Sequence, residues 1–215
     1  MGYFKQEGLN VEVKRYLGLG QLSKDYVAGK IPIRANLNFD TVNESLKGLQ
    51  QKVVLAIDYS NGSDAIVGDN KISDIKGLKG KKVGYEAGTY PEYFISWALE
   101  QNGLSLKDII SVPGDPESIV KDLLAGKIDG GVTYEPFLTT IRHSKQAHIL
   151  FPSSKAPGLI TDVLTVRKDF ADAHPEVISA ILRAYFKAFR LLETQPLTAH
   201  QIMAKEFGDT PEGIA

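Results

Sequence analysis

The chain has 215 residues, 43% of them hydrophobic and 24% charged, with a formal charge of −1, and it is long enough to bury a substantial core as one domain or two. A charge so near zero gives no electrostatic footing for nucleic acid, and no apolar run approaches the roughly 20 residues that span a bilayer. With no cysteine, disulfides, thiolate metal sites and a cysteine nucleophile are all excluded.

In chain order, the opening "MGYFKQEGLN" has no apolar stretch of the export-signal type. "GLGQLSK" (residues 18–24) has the spacing of neither common phosphate loop and reads as a turn entering a helix. Residues 11–13 and 31–35 read as strands, and "VVLAI" (residues 53–57) as a buried parallel strand. A short helix lies between the last two, with Thr41 and Glu44 at capping-box spacing and Gly48 just past its end.

Further on, "KKVGY" (residues 81–85) reads as a strand, preceded by a solvated lysine-rich turn at residues 76–82. Pro91 opens a helix to about Gln101. A strand at residues 110–112 leads to a helix capped by Asp115, with Pro116 in its first turn and Gly126 closing it. Residues 130–132 and 148–151 are strand candidates, followed by "DVLTV" (residues 162–166). The longest helix runs from about Pro175 to Thr194; Val177, Ile178, Ile181, Leu182, Tyr185, Phe186, Phe189 and Leu192 repeat at i, i+3, i+4 spacing and predict one broad buried face. Pro196 ends it, and a last helix covers residues 198–207, stopping at Gly208. This alternation predicts an α/β fold with mostly parallel sheets flanked by helices.

Two polar stretches, "DYSNGSDA" (residues 58–65) and "SSKAPGLIT" (residues 153–161), look like connections. The tetrapeptide Ala28-Gly29-Lys30-Ile31 recurs as Ala125-Gly126-Lys127-Ile128. The repeat marks either equivalent corners of two α/β lobes or two ordinary helix C-caps.

The chemistry is that of a binder. The chain carries no nucleophile elbow, no paired-histidine zinc motif and no Walker loop. His143, His148, His174 and His200 have no ligand spacing. Polar residues gather instead at strand-to-helix turns: "NLNFDT" (residues 36–41), "EAGTYPE" (residues 86–92) and "TYEP" (residues 133–136). Such turns lie at the carboxyl ends of strands in open sheets, where free helix N–H groups receive small polar or anionic groups. Simple capping is the plainer reading of any one turn. Thr89 and Glu92 have the spacing of a second capping box, and Tyr90 and Tyr134 would form aromatic walls.

Taken together and in order, "GYFKQEGLNVEV", "AGKI", "DYSNGSDAIV", "LKGKKVGYEAGT" and "AGKIDGGVTYEPF" resemble bacterial ABC-transporter solute-binding proteins of the taurine, alkanesulfonate, nitrate and thiamine-precursor group. The resemblance implies a two-lobed periplasmic binding protein fold of type II with two crossovers that closes over its ligand. Lobe one would be residues 1–60 plus 163–215, and lobe two residues 61–162. It implies ligand contacts at Asn38, Phe39, Asp40 and Thr41, at Tyr59, Ser60 and Asn61, at Gly88, Thr89 and Tyr90, at Tyr134, Glu135 and Pro136, and at Asp162, which meets a ligand amine. It further implies a periplasmic location, a small-molecule ligand, a membrane permease as partner, no cofactor, no metal, no nucleic acid and a monomer when intact.

Against that family the chain starts at the end of the first helix, lacking its first strand, and stops within a predicted helix, "TPEGIA", so a truncated chain is expected. Pro32 and Arg34 also depart from the family pattern; Arg34 would either meet an anionic ligand or lie exposed. A sensor input domain of the same fold is the alternative. A pyrimidine-synthesising enzyme of the same fold would need a cysteine-rich iron motif that this chain lacks. Acidic Glu86, Glu135 and Asp162 would favour an amine-bearing ligand, helix ends an anion, and an aminosulfonate such as taurine would suit both.

Overall fold

A computed structural model describes residues 1–16 and 19–207. Gly18, Gly208 and the expected helix at "TPEGIA" lie outside the described residues. The elements are α1 (Tyr3–Gln6), α2 (Leu19–Val27), β1 (Ile33–Leu37), α3 (Asn38–Leu46), β2 (Gln51–Tyr59), β3 (Asp64–Asp69), β4 (Lys82–Tyr85), α4 (Tyr90–Gln101), β5 (Ile110–Pro113) and α5 (Pro116–Leu124). They continue with β6 (Gly130–Tyr134), α6 (Phe137–Arg142), β7 (Ala147–Pro152), β8 (Thr161–Arg167), α7 (Lys168–Ala173), α8 (Pro175–Thr194) and α9 (Pro196–Phe207). Three strands form a sheet in the order β1-β8-β2, and five form another in the order β5-β4-β6-β3-β7.

The chain separates into two compact units. The first comprises the described parts of Met1–Ile33, Gln50–Leu55 and Val166–Ala215; the second comprises Arg34–Leu49 and Ala56–Thr165.

Within the second unit the five-stranded sheet is mixed. β4 runs parallel to β5 and β6, whereas β3 is antiparallel to both β6 and β7. Alternate residues of its strands feed two separate cores, as the two-residue strand period requires. Ile66, Val83 and Val132 pack with Phe94, Ile95, Ala98 and Leu99 of α4. Ala65 and Val67 pack with Ile119, Val120 and Leu123 of α5 and with Leu138 and Ile141 of α6.

Close approach of α5 to this sheet depends on two glycines. Gly84 and Gly131 face each other across β4 and β6. A Cβ on Gly131 would stand 2.5 Å from Ile119 Cγ2 and 3.1 Å from the Gly84 carbonyl oxygen. Ile119 is itself buried and cannot yield freely, so Gly131→Ala is expected to destabilise by about 1–3 kcal/mol through overpacking, measured as a lowered urea midpoint.

The repeated tetrapeptide has a local explanation. α2 and α5 both end on a glycine of positive φ, Gly29 at 74° and Gly126 at 70°. In each, the next lysine N–H returns to the carbonyl five residues back, Lys30 to Asp25 and Lys127 to Asp122, both at 2.9 Å. The same lysines then pair their ammonium groups with those aspartates, at 3.1 and 2.8 Å. Ala-Gly-Lys-Ile is thus a Schellman cap with a salt bridge across it.

Several expectations change. Residues 11–13 form no strand; Val11 and Val13 are 40% and 72% exposed, so their alternation finds no surface to bury against. β2 is longer than expected and not fully buried, Val53 being 47% exposed. Residues 76–82 are not wholly solvated, because a 3-10 turn at Ile75–Leu78 buries Ile75 and Leu78. α8 has the expected bounds, but only Ala180 and Ala184 are fully buried, and Phe186 and Phe189 remain 51% and 43% exposed. Pro32 precedes β1 and disturbs no ladder; its carbonyl accepts from the Arg167 N–H at 2.9 Å. Among the described residues no helix is long and apolar enough to cross a membrane.

Candidate functional site

All the residues singled out as ligand contacts fall within the second unit. The two polar connections read from sequence meet there. Ser60 N–H donates to the Ile160 carbonyl at 2.8 Å, the Ser60 and Ser153 hydroxyls bond at 2.7 Å, and Gly62 N–H donates to Ser153 Oγ at 2.8 Å. Ser153 is buried, so this knot of hydroxyl and amide fixes both segments beside the first residue of β3.

That residue, Asp64, organises one side of the site. It is 6% exposed and accepts from the Tyr90 hydroxyl at 2.6 Å. Burial raises its carboxyl above the ordinary range, while hydrogen bonds from Ser60 and Tyr90 pull it back down. Burial, and then the neighbouring Asp64 charge, push the Tyr90 phenol far upward, so it stays a proton donor. Tyr90→Phe deletes this bond and leaves Asp64 short of a donor. The expected cost is about 1–2 kcal/mol, read as a lower denaturation midpoint.

Tyr134 stands next to Tyr90, with ring centroids 6.1 Å apart, and meets Phe137 edge-on at 6.2 Å. Burial, and after it the Asp115 charge, raise the Glu86 carboxyl, and the nearby Tyr134 hydroxyl lowers it. On the other side, Phe39 packs at 5.6 Å against Tyr93 of α4.

A second acidic group lies near Asp64. Burial, and after it Asp58, push Asp162 up to about 6, with Asp64 and Asp40 adding to the rise. Burial likewise raises Asp40, against a lowering by Arg34. Asp58 and Asp64, both in the first polar connection, are not among the residues expected to touch ligand. The signal was available, two carboxylates flanking a Ser-Asn-Gly-Ser turn, but adjacency in sequence gives no direction to a side chain.

Both expected capping boxes are replaced by other bonds. α3 starts at Asn38, so Thr41 and Glu44 lie inside it and are buried. Thr41 Oγ1 accepts from Asn36 Nδ2 at 3.1 Å. Thr89 is the N-cap of α4, yet its hydroxyl donates back to the Glu86 carbonyl at 2.7 Å, and Glu92 accepts from Gly88 N–H at 2.6 Å. Gly88, at φ 77°, makes that turn possible.

Arg34 neither lies exposed nor projects a free charge. It is 4% exposed, and its guanidinium is paired with Glu44. Glu135 is engaged by α6: its Oε2 accepts from Thr139 N–H at 2.9 Å and from the Thr139 hydroxyl at 2.7 Å, and its Oε1 meets Arg142 at 3.3 Å. Tyr59 is 52% exposed, and Asn38, Asn61 and Pro136 are exposed as well.

Buried Asp64 at the start of β3, the Tyr90 hydroxyl that it holds, and the first residues of α3 and α4 are polar groups of one unit. They supply no nucleophile–base pair. The fold is that of periplasmic solute-binding proteins: the periplasmic aliphatic sulphonate binding protein SsuA from Escherichia coli matches it with a TM-score of 0.76 at 18% identity, over 89% of this chain and 66% of that one. The chain belongs to the NMT1/THI5-like family, whose model matches residues 1–199. The taurine-binding periplasmic protein of Escherichia coli (strain K12) is 26% identical over 194 residues, 86% of this chain and 58% of its own length. A 4-amino-5-hydroxymethyl-2-methylpyrimidine phosphate synthase of Saccharomyces cerevisiae is 23% identical over 213 residues, 92% of this chain and 62% of its own. This chain therefore spans about three fifths of the length of either relative.

Proposed function

We propose that the chain is the extracytoplasmic, ligand-capturing component of an ABC importer, and that its ligand carries a protonated amine beside a polar or anionic group. The carboxylate group at Asp58, Asp64 and Asp162, set against the Tyr90 and Tyr134 rings, carries this reading. A cation is attracted to such a group and to the faces of the two rings.

The helix starts favour an anion less than their N–H groups alone would. Each of α3 and α4 already carries an acid in its first turn, Asp40 and Glu92, and Glu92 takes the Gly88 N–H. Those charges offset the positive end of each helix. A bare anion such as nitrate would therefore meet net repulsion, whereas taurine or an aminopyrimidine would present its amine to the carboxylates. Function as a binder without turnover, in the periplasm and with a permease partner, belongs to the same proposal, as does a lobe division at about residues 60 and 162.

A thermal-shift and calorimetric panel of taurine, ethanesulfonate, nitrate and 4-amino-5-hydroxymethyl-2-methylpyrimidine tests it. At a ligand concentration of about 100 Kd the stabilisation is about 2.7 kcal/mol, so a bound ligand raises Tm by several degrees. A rise with taurine or the aminopyrimidine alone is expected. Equal rises with ethanesulfonate and nitrate would remove the amine requirement, and no rise with any compound would remove the capture reading.

A further inference from the structure

The inner face of α3 is held by polar contacts rather than apolar ones. Its two buried side chains, Thr41 and Glu44, are three residues apart and share one face. Glu44 receives both terminal nitrogens of Arg34, the Nη1 bond measuring 3.0 Å. Arg34 Nε reaches Thr165 Oγ1 at 3.4 Å, the Thr165 hydroxyl donates to Asn36 Oδ1 at 2.5 Å, and Asn36 Nδ2 donates to Thr41 Oγ1 and to the Leu37 carbonyl. One network thus joins β1, β8 and α3, with the Arg34 side chain 1% exposed.

The same helix bears Phe39, which packs on Tyr93, and Asp40, whose charge reaches Asp162. At nine residues α3 is too short to be stable alone, so its pose is set by what it is fastened to. A buried ion pair adds little stability over apolar residues of the same volume, because desolvating two charges cancels most of their attraction. What a two-pronged guanidinium–carboxylate pair does supply is a fixed direction and distance.

We propose that Arg34 and Glu44 are positioning residues for the binding site: their fork sets the pose of α3 and thereby places Phe39 and Asp40. The inference rests on the capture function proposed above, and its test separates the two. The double variant Arg34→Met/Glu44→Leu removes both charges at similar volume. Three quantities are compared with the unaltered chain: Tm, ligand-free hydrogen exchange of residues 38–46 with α4 as internal control, and affinity for taurine and the aminopyrimidine.

The expected result is a Tm within a few degrees, exchange in α3 about tenfold faster with α4 unchanged, and affinity reduced about tenfold or more. Unchanged exchange and affinity in a folded double variant would overturn the proposal. If the double variant does not fold, Arg34→Lys keeps the charge but loses the fork; faster exchange confined to α3 supports the proposal, and exchange equal to the unaltered chain overturns it. If the unaltered chain binds neither compound while α3 exchange still responds, the positioning of α3 stands and the capture reading fails.

Discussion

Glu44→Leu alone is expected to cost about 3–5 kcal/mol, the largest loss for any single change considered, because it strands the Arg34 charge without its carboxylate. Arg34 is 1% exposed at its side chain, so water cannot replace the lost partner without opening the space beneath α3. Arg34 Nε keeps its long, neutral bond to Thr165 Oγ1 at 3.4 Å, and the Asp40 carboxylate, which also feels the Arg34 charge, offsets part of the loss. For a chain of this length roughly 2–4 °C of Tm accompanies each kcal/mol, so a drop of about 6–20 °C is the practical readout. The double variant with Arg34→Met should recover most of it, since the two sites share one interaction and their effects cannot add. A single variant as stable as the unaltered chain would show that Arg34 has another route to solvent.

Asp162→Asn is expected to weaken an amine-bearing ligand about 10- to 100-fold, the worth of one hydrogen bond to a charged group, about 1.5–3 kcal/mol. The same change alters the pH dependence of stability, with a sign fixed by the direction of the shift. Burial and Asp58 raise the folded carboxyl from 3.8 to about 6. Between those values the folded chain holds a proton that the unfolded chain has released. Its contribution is therefore complete below 3.8 and is lost as pH rises through about 6. A shift of this size corresponds to roughly 3 kcal/mol without screening. Asp162 is only half-buried, so solvent reduces this to about 1–1.5 kcal/mol. Urea midpoints from pH 4 to 7 should fall in the unaltered chain and flatten in the Asn variant. Ligand affinity should run the opposite way, rising over the same interval as the carboxylate ionises to meet the amine. Binding that strengthens on acidification would contradict a cationic ligand.

Helix ends and punctuation were the most legible part of the chain. Asp115 before Pro116 and Gly126 after α5 act as local chemistry predicts: the Asp115 carboxylate accepts from Ser118 N–H, and Gly126 turns the chain with positive φ. The bounds of α8 were equally readable from Pro175 and Pro196. These features depend on residues within one turn of one another, and so does the repeated Ala-Gly-Lys-Ile cap. The order of strands and helices, and with it the α/β class, follows from the same short-range patterns.

Tertiary structure decided what each polar side chain is for. Thr41 and Glu44 have the spacing of a capping box, but a strand places Arg34 and Asn36 beneath them, and a buried guanidinium has a stronger claim on a carboxylate than a backbone N–H has. Glu135 is a counter-example: its partners Thr139 and Arg142 lie four and seven residues on, in the helix that follows, so that contact is local. Asp58, Asp64 and Asp162 come from separate strands, and only the fold brings them into one electric field. Sequence by itself determined the elements and their caps, because those bonds close within a few residues; the acidic character of the site, and the fastening of β1 to β8 beneath α3, depend on Asp162 and Thr165, more than a hundred residues from Asp58 and Arg34 in the chain, where only packing sets distance and direction.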